Sequence, residues 1–203
     1  MANVPHLLLA AGSSNRMGQP KQLLPWGDKT LIEHQVHTRL QTNQDVAVVL
    51  GCQADIVLPL IEKYPVTVLI NNQWVKGMGN SISYGIKKLI KYYPHADGVL
   101  ISLLDQPLIT TEHLEKILST FQSESKQIIA SQAASGWIGV PALFDKVYFE
   151  ELTKLNGEQG AKKIIQKHQP FVKSIACDKL LEDMDTPEKY EELLKIYIAM
   201  LYS

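Results

Sequence analysis

The chain has 203 residues, 45% of them hydrophobic, with 21 acidic and 20 basic residues for a formal net charge of −1. That balance suits one ordinary core and excludes the basic footprint of a nucleic-acid or anionic-membrane binder. No apolar run approaches the ~20 residues of a membrane span, no signal-peptide pattern is expected, and Cys52 and Cys177 fit neither a CxxC nor a zinc spacing, so a cytoplasmic protein is expected, with both thiols buried or half-buried beside strand ends.

The first run, "PHLLLA" (5–10), is apolar throughout, the pattern of a strand covered on both faces. A loop, "AGSSNRMGQPK" (11–21), follows it. Next comes "TLIEHQVHTRL" (30–40), a helix with Thr30 and Glu33 at capping-box spacing. "DVAVVLG" (45–51) repeats the strand pattern, "QADIVLPLIEK" (53–63) reads as a helix, "VTVLI" (66–70) as a strand and "NSISYGIKKLIKYY" (80–93) as a helix. "DGVLISLL" (97–104) is a fourth buried strand, and "TTEHLEKILSTF" (110–121) the helix after it.

Strands alternating with helices build βαβ units with right-handed crossovers. The fold class is therefore α/β, a three-layer sandwich whose Rossmann-like, mostly parallel sheet carries helices on both faces. Past residue 126 the alternation loosens. "QIIASQ" (127–132) and "FVKSIA" (171–176) read as strands, with "NGEQGAKKIIQKH" (156–168) as a helix between them. "DTPEKYEELLKIYIAML" (185–201) closes the chain as a helix that Thr186 can cap, with Pro187 suited to its first position. No repeat, linker or low-complexity tract interrupts the sequence, so a single domain over 1–203 is expected.

The loop after the first strand carries the chemistry. It reads Gly12-Ser-Ser-Asn-Arg-Met-Gly18, with Lys21 close behind. A Gly-rich turn from strand to helix presents backbone N–H groups to phosphate. The spacing is neither a Walker A loop nor a GxGxxG dinucleotide fingerprint. Its two cations are of different kinds: Arg16 can clamp two oxygens in a planar fork, while Lys21 is a mobile point charge. The crevice at the carboxyl ends of parallel strands is where such a loop meets ligands. The loop can simply be a surface loop with incidental charges; alternatively it suits a polyphosphate, with contacts from the loop's N–H groups and from Ser13 and Ser14, and with Arg16 and Lys21 neutralising its charge.

Three aspartates complete the candidates. Asp105 follows an apolar strand, and Asp183 and Asp185 stand in "LEDMDTPE" before the last helix. Asp105 can simply start a turn before Pro107, and the other two can simply favour a helix N-terminus. Alternatively, carboxylates from distant segments opposite a phosphate loop suit Mg²⁺, which takes one or two carboxylates plus substrate phosphates and water. No Ser-His-Asp, Cys-His or HExxH arrangement is visible. His34 and His37, three apart on one helix, read as a solvated face. The lack of an obvious general base fits a phosphate nucleophile, which is already substantially ionised at neutral pH (second pKa ~6).

Taken together, "LAAGSSNRMGQPK" (9–21), "KGMGNSISYGI" (76–86), "LLDQPLIT" (103–110), "GVPALF" (139–144), "GEQGAK" (157–162) and "DMDTPE" (183–188) resemble, in order, the motifs of nucleotidyltransferases related to molybdenum cofactor cytidylyltransferase. The resemblance implies a nucleotide-binding part over 1–110 and an acceptor-binding part with the closing helix over 111–203. It implies nucleotide contacts from Leu9, Ala10, Ala11, Gly12, Ser13 and Ser14, and base and ribose contacts from Gly79, Asn80 and Ser81. Arg16 and Lys21 become the catalytic cations, Asp105 and Asp185 the Mg²⁺ ligands, with Asp183 at most supporting, and "GVPALF" a loop. The guanylyl branch usually reads LAGG, and the methyl of Ala11 favours a pyrimidine, hence CTP. The implied acceptor is the terminal phosphate of molybdopterin, and a cofactor-receiving enzyme is an implied partner. Two positions depart from the pattern: Val140 stands where many members carry His, and Asn80 where Ser is usual. A sugar phosphate or other small phosphate therefore remains the alternative acceptor, and a non-catalytic nucleotide-binding accessory the alternative class.

Overall fold

The computed structural model describes residues 2–202. Its strands are β1 (His6–Ala10), β2 (Pro25–Trp26), β3 (Lys29–Thr30), β4 (Val46–Leu50), β5 (Thr67–Ile70), β6 (Gly98–Leu103), β7 (Ile128–Gln132), β8 (Ile138–Asp145) and β9 (Val172–Ala176). The helices are α1 (Leu31–Leu40), α2 (Ala54–Ile61), α3 (Met78–Tyr92), α4 (Thr111–Thr120), α5 (Phe149–Leu152), α6 (Lys162–Lys167) and α7 (Pro187–Leu201). Strands β2 and β3 form a small hairpin, and the other seven form one sheet in the order β5-β4-β1-β6-β8-β7-β9. All run parallel except β8, which pairs antiparallel with both β6 and β7.

The apolar runs fill both faces because alternate side chains point to opposite sides. Leu7 and Leu9 of β1 join Ile82, Ile86 and Leu89 of α3 and Ile164 and Ile165 of α6 on one face. Leu8 of the same strand joins Leu31, Ile32 and Val36 of α1, Val57 and Ile61 of α2 and Leu193 of α7 on the other. Helix α4 completes that second layer through Leu114 and Ile117 against Leu100, Ile129 and Leu143. This is the three-layer α/β sandwich expected from the alternation. Glu33 accepts from both the N–H and the hydroxyl of Thr30 at the start of α1, and Thr186 accepts from Lys189 N–H at the start of α7, with Pro187 in the first turn.

Three local expectations change. The segment "GVPALF" is not a loop but lies within β8, between β6 and β7. The helix expected over 156–168 is ordered as helix only at Lys162–Lys167, because 156–161 is spent on a loop that meets α3. His34 is not solvated: its ring stands 6.1 Å from Trp26 and 4.9 Å from Tyr197, and burial lowers its pKa to about 4. His37 alone faces solvent. Cys52 is half-buried and Cys177 buried. Among the described residues no helix is long and apolar enough to cross a membrane.

Candidate active site

A cleft of about 420 Å³ opens at the carboxyl ends of β1 and β6. One wall is the end of β1 and the loop after it, from Leu9 to Ser14, with Lys21 and Gln22; the second is Trp74, Val75 and Gly77 just before α3, with Met78 and Ser81 in its first turn; the third is Leu103, Leu104 and Asp105, and Glu158 also lines the cleft. The loop is built to stay open. Gln22 Nε2 donates to the carbonyls of Ala10 (2.8 Å) and Gly12 (3.3 Å), and Ser14 Oγ accepts from Lys21 N–H (3.1 Å). The Gln22 bonds occupy two carbonyls of the segment, while the third ties Lys21 N–H to the Ser14 hydroxyl.

The opposite wall is close-packed. The N–H of Gly79 donates to Gly157 O at 2.8 Å. A Cβ on Gly77, whose φ is +96°, would fall 2.4 Å from the same carbonyl oxygen, so only glycine allows the contact. The two glycine motifs thus lock together, and the loop at 156–160 brings Glu158 to the cleft. Of the three residues implied for base and ribose, Ser81 lines the cleft, whereas Gly79 is turned into this packing and Asn80 Oδ1 accepts from Asn71 Nδ2 at 3.2 Å.

The two sets of charged candidates, expected as separate phosphate and metal groups, meet in a single cluster. Lys21 Nζ stands 2.7 Å from Asp185 Oδ1 and 3.4 Å from Asp105 Oδ2, and Arg16 donates to Asp185 Oδ2 at 2.8 Å. Lys21 is 8% exposed, held by a short 3₁₀ turn, whereas Arg16 reaches in from solvent. Met184 N–H donates to Asp105 O (2.8 Å), tying the "DMD" segment to the end of β6. Asp183 turns away and meets Gln106 at 3.2 Å.

Burial pushes the Asp105 carboxyl up, with Lys21 opposing and Asp185 adding to the rise. Burial also works against ionised Asp185, but the hydrogen bond and charge of Lys21, helped by Arg16, hold its carboxyl below the usual range. Asp183 is raised by burial and then by the charge of Asp105.

The pair Asp105 and Asp185 fits a hard divalent cation on two observations. Both carboxylates reach one ammonium position, and Asp105 Oδ1 is buried without a hydrogen-bond partner, an acceptor that a cation would satisfy. Among the described residues no group of three or more His, Cys, Asp or Glu could hold an ion unaided. Further ligands would have to be phosphate and water, which is the magnesium habit. Sequence reasoning missed Gln22 and Trp74, which stand in no motif, and assigned no role to Met78 and Glu158, although both lie within motifs, "KGMGNSISYGI" and "GEQGAK".

An open α/β sheet with a phosphate-type loop at the end of its first strand defines a nucleotide-handling class. A family model described as the MobA-like NTP transferase domain matches residues 6–172, and the chain belongs to that family of nucleotidyltransferases. The purine catabolism protein PucB of Bacillus subtilis (strain 168) is 28% identical, over 92% of this chain and 95% of its own. Nicotine blue oxidoreductase of Paenarthrobacter nicotinovorans is 29% identical over 94% and 96%. Molybdenum cofactor cytidylyltransferase of Escherichia coli (strain K12) is 21% identical over 94% and 95%. Among solved structures, Rv0371c of Mycobacterium tuberculosis H37Rv superposes with a TM-score of 0.84 at 28% identity, covering 96% of this chain and 98% of that one. A manganese complex of Rv0371c superposes at 0.80 and 26% identity, over 96% and 99%.

Proposed function

We propose that this chain transfers a nucleoside monophosphate from an NTP to a phosphorylated small molecule, with CTP as donor and molybdopterin as acceptor. One observation carries the reading: two cations and two carboxylates neutralise one another at the rim of a cleft lined by the segment from Leu9 to Ser14. An entering triphosphate competes for Lys21 and Arg16, and the hydroxyls of Ser13 and Ser14 stand on the same wall. The exchange frees Asp105 and Asp185, which would hold Mg²⁺ with the phosphates and water. Bound there, the metal supplies charge neutralisation to those phosphates.

The acceptor phosphate needs no general base, since its second pKa of ~6 leaves it largely ionised at neutral pH. One of its oxygens forms a bond to the α-phosphorus. The bond from that phosphorus to the β-phosphate oxygen breaks, and its electrons leave with pyrophosphate. The residues contribute alignment and charge neutralisation. Ser81 faces the nucleoside, and Ala11 bounds the space for its base.

The name of the Paenarthrobacter relative is a reminder that a fold admits several chemistries, so the reading stands on the charged cluster. Val140, in place of a histidine, favours a second reading in which the acceptor is a sugar phosphate. The test is incubation with each NTP, Mg²⁺ and either molybdopterin or a panel of sugar phosphates, with pyrophosphate measured. CTP with molybdopterin is expected to release it. Release only with a sugar phosphate moves the protein to the second reading, and nucleotide binding with no release makes it a binding accessory. A cofactor-receiving enzyme is the partner that the first outcome would call for.

A further inference from the structure

One cation and one aromatic ring beside the cleft take no part in the cluster. The turn between β7 and β8 is tight: Ala133 N–H donates to Trp137 O (2.9 Å), and Gly136 N–H donates to Ala133 O (2.9 Å). It holds Trp137 up on the backbone of β8. A Cβ on Gly139 would lie 2.1 Å from the indole, so nothing larger than glycine fits under the ring. Trp137 nonetheless stays 36% exposed, and Lys162 Nζ sits 5.5 Å from its centroid.

Position makes this pair more than a loop staple. Antiparallel pairing of Ile101 with Ala142 sets the start of β8 beside the Leu103 end of β6, the end that lines the cleft. Lys162 opens α6 directly after the loop that brings Glu158 to the cleft and sets Gly160 against Met78. Ile138 and Val140 continue the apolar surface between these points. The arrangement is a flat aromatic face, an apolar border and a movable ammonium, on the β8 and α6 side of the Leu103 end of β6.

We propose that Trp137 and Lys162 form the acceptor subsite, and that its ligand is a planar, anionic heterocycle. The ligand's ring stacks on the indole in the place of the lysine's cation–π contact, and Lys162 swings to the ligand's anionic group. Val140 then borders the ring, where an imidazole would offer a hydrogen bond instead. The inference rests on the nucleotidyl-transfer reading for what the subsite serves, and on the aromatic–cation pair for what it binds.

The experiment is calorimetric titration with 6-carboxypterin, a flat anionic probe, and with ribose 5-phosphate, an anion without a flat ring, both in the presence of saturating CTP. Wild type is expected to bind the pterin and to bind ribose 5-phosphate at least tenfold more weakly. Trp137→Ala should weaken pterin binding about tenfold or more, in the range of base–aromatic stacking, and Trp137→Phe should restore most of it. Lys162→Ala should weaken it severalfold, while CTP affinity, measured alone, stays unchanged in all three variants and reports that each is folded. Pterin binding in Trp137→Ala equal to wild type overturns the proposal, as does ribose 5-phosphate binding that depends equally on Trp137. Failure of the wild type to bind CTP would strike the nucleotidyl-transfer reading alone, because the pterin titrations are read without turnover.

Discussion

The two sides of the cleft solve different problems. At the β1 and β6 side, Lys21, Arg16, Asp105 and Asp185 form one cluster, three of them at least partly withdrawn from water. At the β8 and α6 side, Lys162 leans on an indole ring and Val140 is apolar. Partly buried charges are expensive unless paired; under the proposed function the cations rest on internal carboxylates until a triphosphate replaces them. A flat acceptor instead asks for shape and area, which an aromatic ring provides at little electrostatic expense. Substitutions on the first side should therefore change the chemical step, and those on the second the choice of acceptor.

The hardest blow to this division is Lys21→Ala. Its ammonium joins both carboxylates, and among the described residues no second buried cation reaches them. Turnover should fall ~10²-fold or more, the range seen when a charge-stabilising group is lost, with circular dichroism unchanged. The sign of the pH effect follows from the causes of the Asp105 shift. Lys21 holds that carboxyl down against burial, so its removal lets the pKa climb, and the acid limb of residual activity should move to higher pH. Near-normal turnover in a folded variant would make the cluster a surface ion pair with no part in the chemistry.

Asp105→Asn comes next. It keeps the shape and removes the charge, so the Mg²⁺ needed for half-maximal activity should rise roughly tenfold, within the range that a perturbed metal site shows. Asp183→Asn should move it far less, because Asp183 meets Gln106 and not the cations. Stability separates the two effects. A carboxyl whose folded pKa is raised contributes stability at low pH that is lost as pH climbs through the folded value. Replacing Asp105 should thus leave the neutral-pH melting temperature equal or higher while activity drops. An unchanged metal dependence would remove Asp105 from the ligand set.

The division also marks how far the sequence could be read. The sheet and its helices were legible because Leu7 to Leu9 and Val46 to Leu50 are apolar without alternation, as a strand with one solvated face would not be. Arg16, Lys21, Asp105 and Asp185 could be picked out as candidates because each lies in a short motif. That the cations and carboxylates would pair with one another was not legible, since Lys21 and Asp185 lie 164 residues apart and spacing carries no distance. The β8 and α6 side was the least legible. The resemblance implied a loop at "GVPALF" where the chain forms β8, and Trp137, which stands in none of the motifs, meets Lys162 only in the folded chain. His34 misled for a similar reason: nothing in α1 announces that Trp26 and Tyr197 cover it.

The smallest expected effect sits at Ala11, which the proposed function places against the base. Ala11 continues the alternation of Leu7 and Leu9, so its methyl shares their face of the sheet and lies at the cleft beside α3. The residue is otherwise fixed, because its carbonyl accepts from Cys52 N–H at 3.0 Å and Gly51 packs against it. Ala11→Gly therefore removes one methyl without freeing the strand end. A methyl-sized change in a pocket is worth ~1–3 kcal/mol of discrimination at most, so the ratio of kcat/KM for GTP to that for CTP should rise severalfold without reversing. Mg²⁺ dependence and acceptor KM should not move, since neither the cluster nor Trp137 touches this methyl. A constant ratio with both rates measurable would mean that Ala11 does not read the base; the choice of CTP would then lose its support, while nucleotidyl transfer by the charged cluster would stand. A larger acceptor KM in the same variant would instead mean that base and acceptor lie against one another across the floor at Leu9 and Leu103, and the two sides of the cleft would no longer be separable.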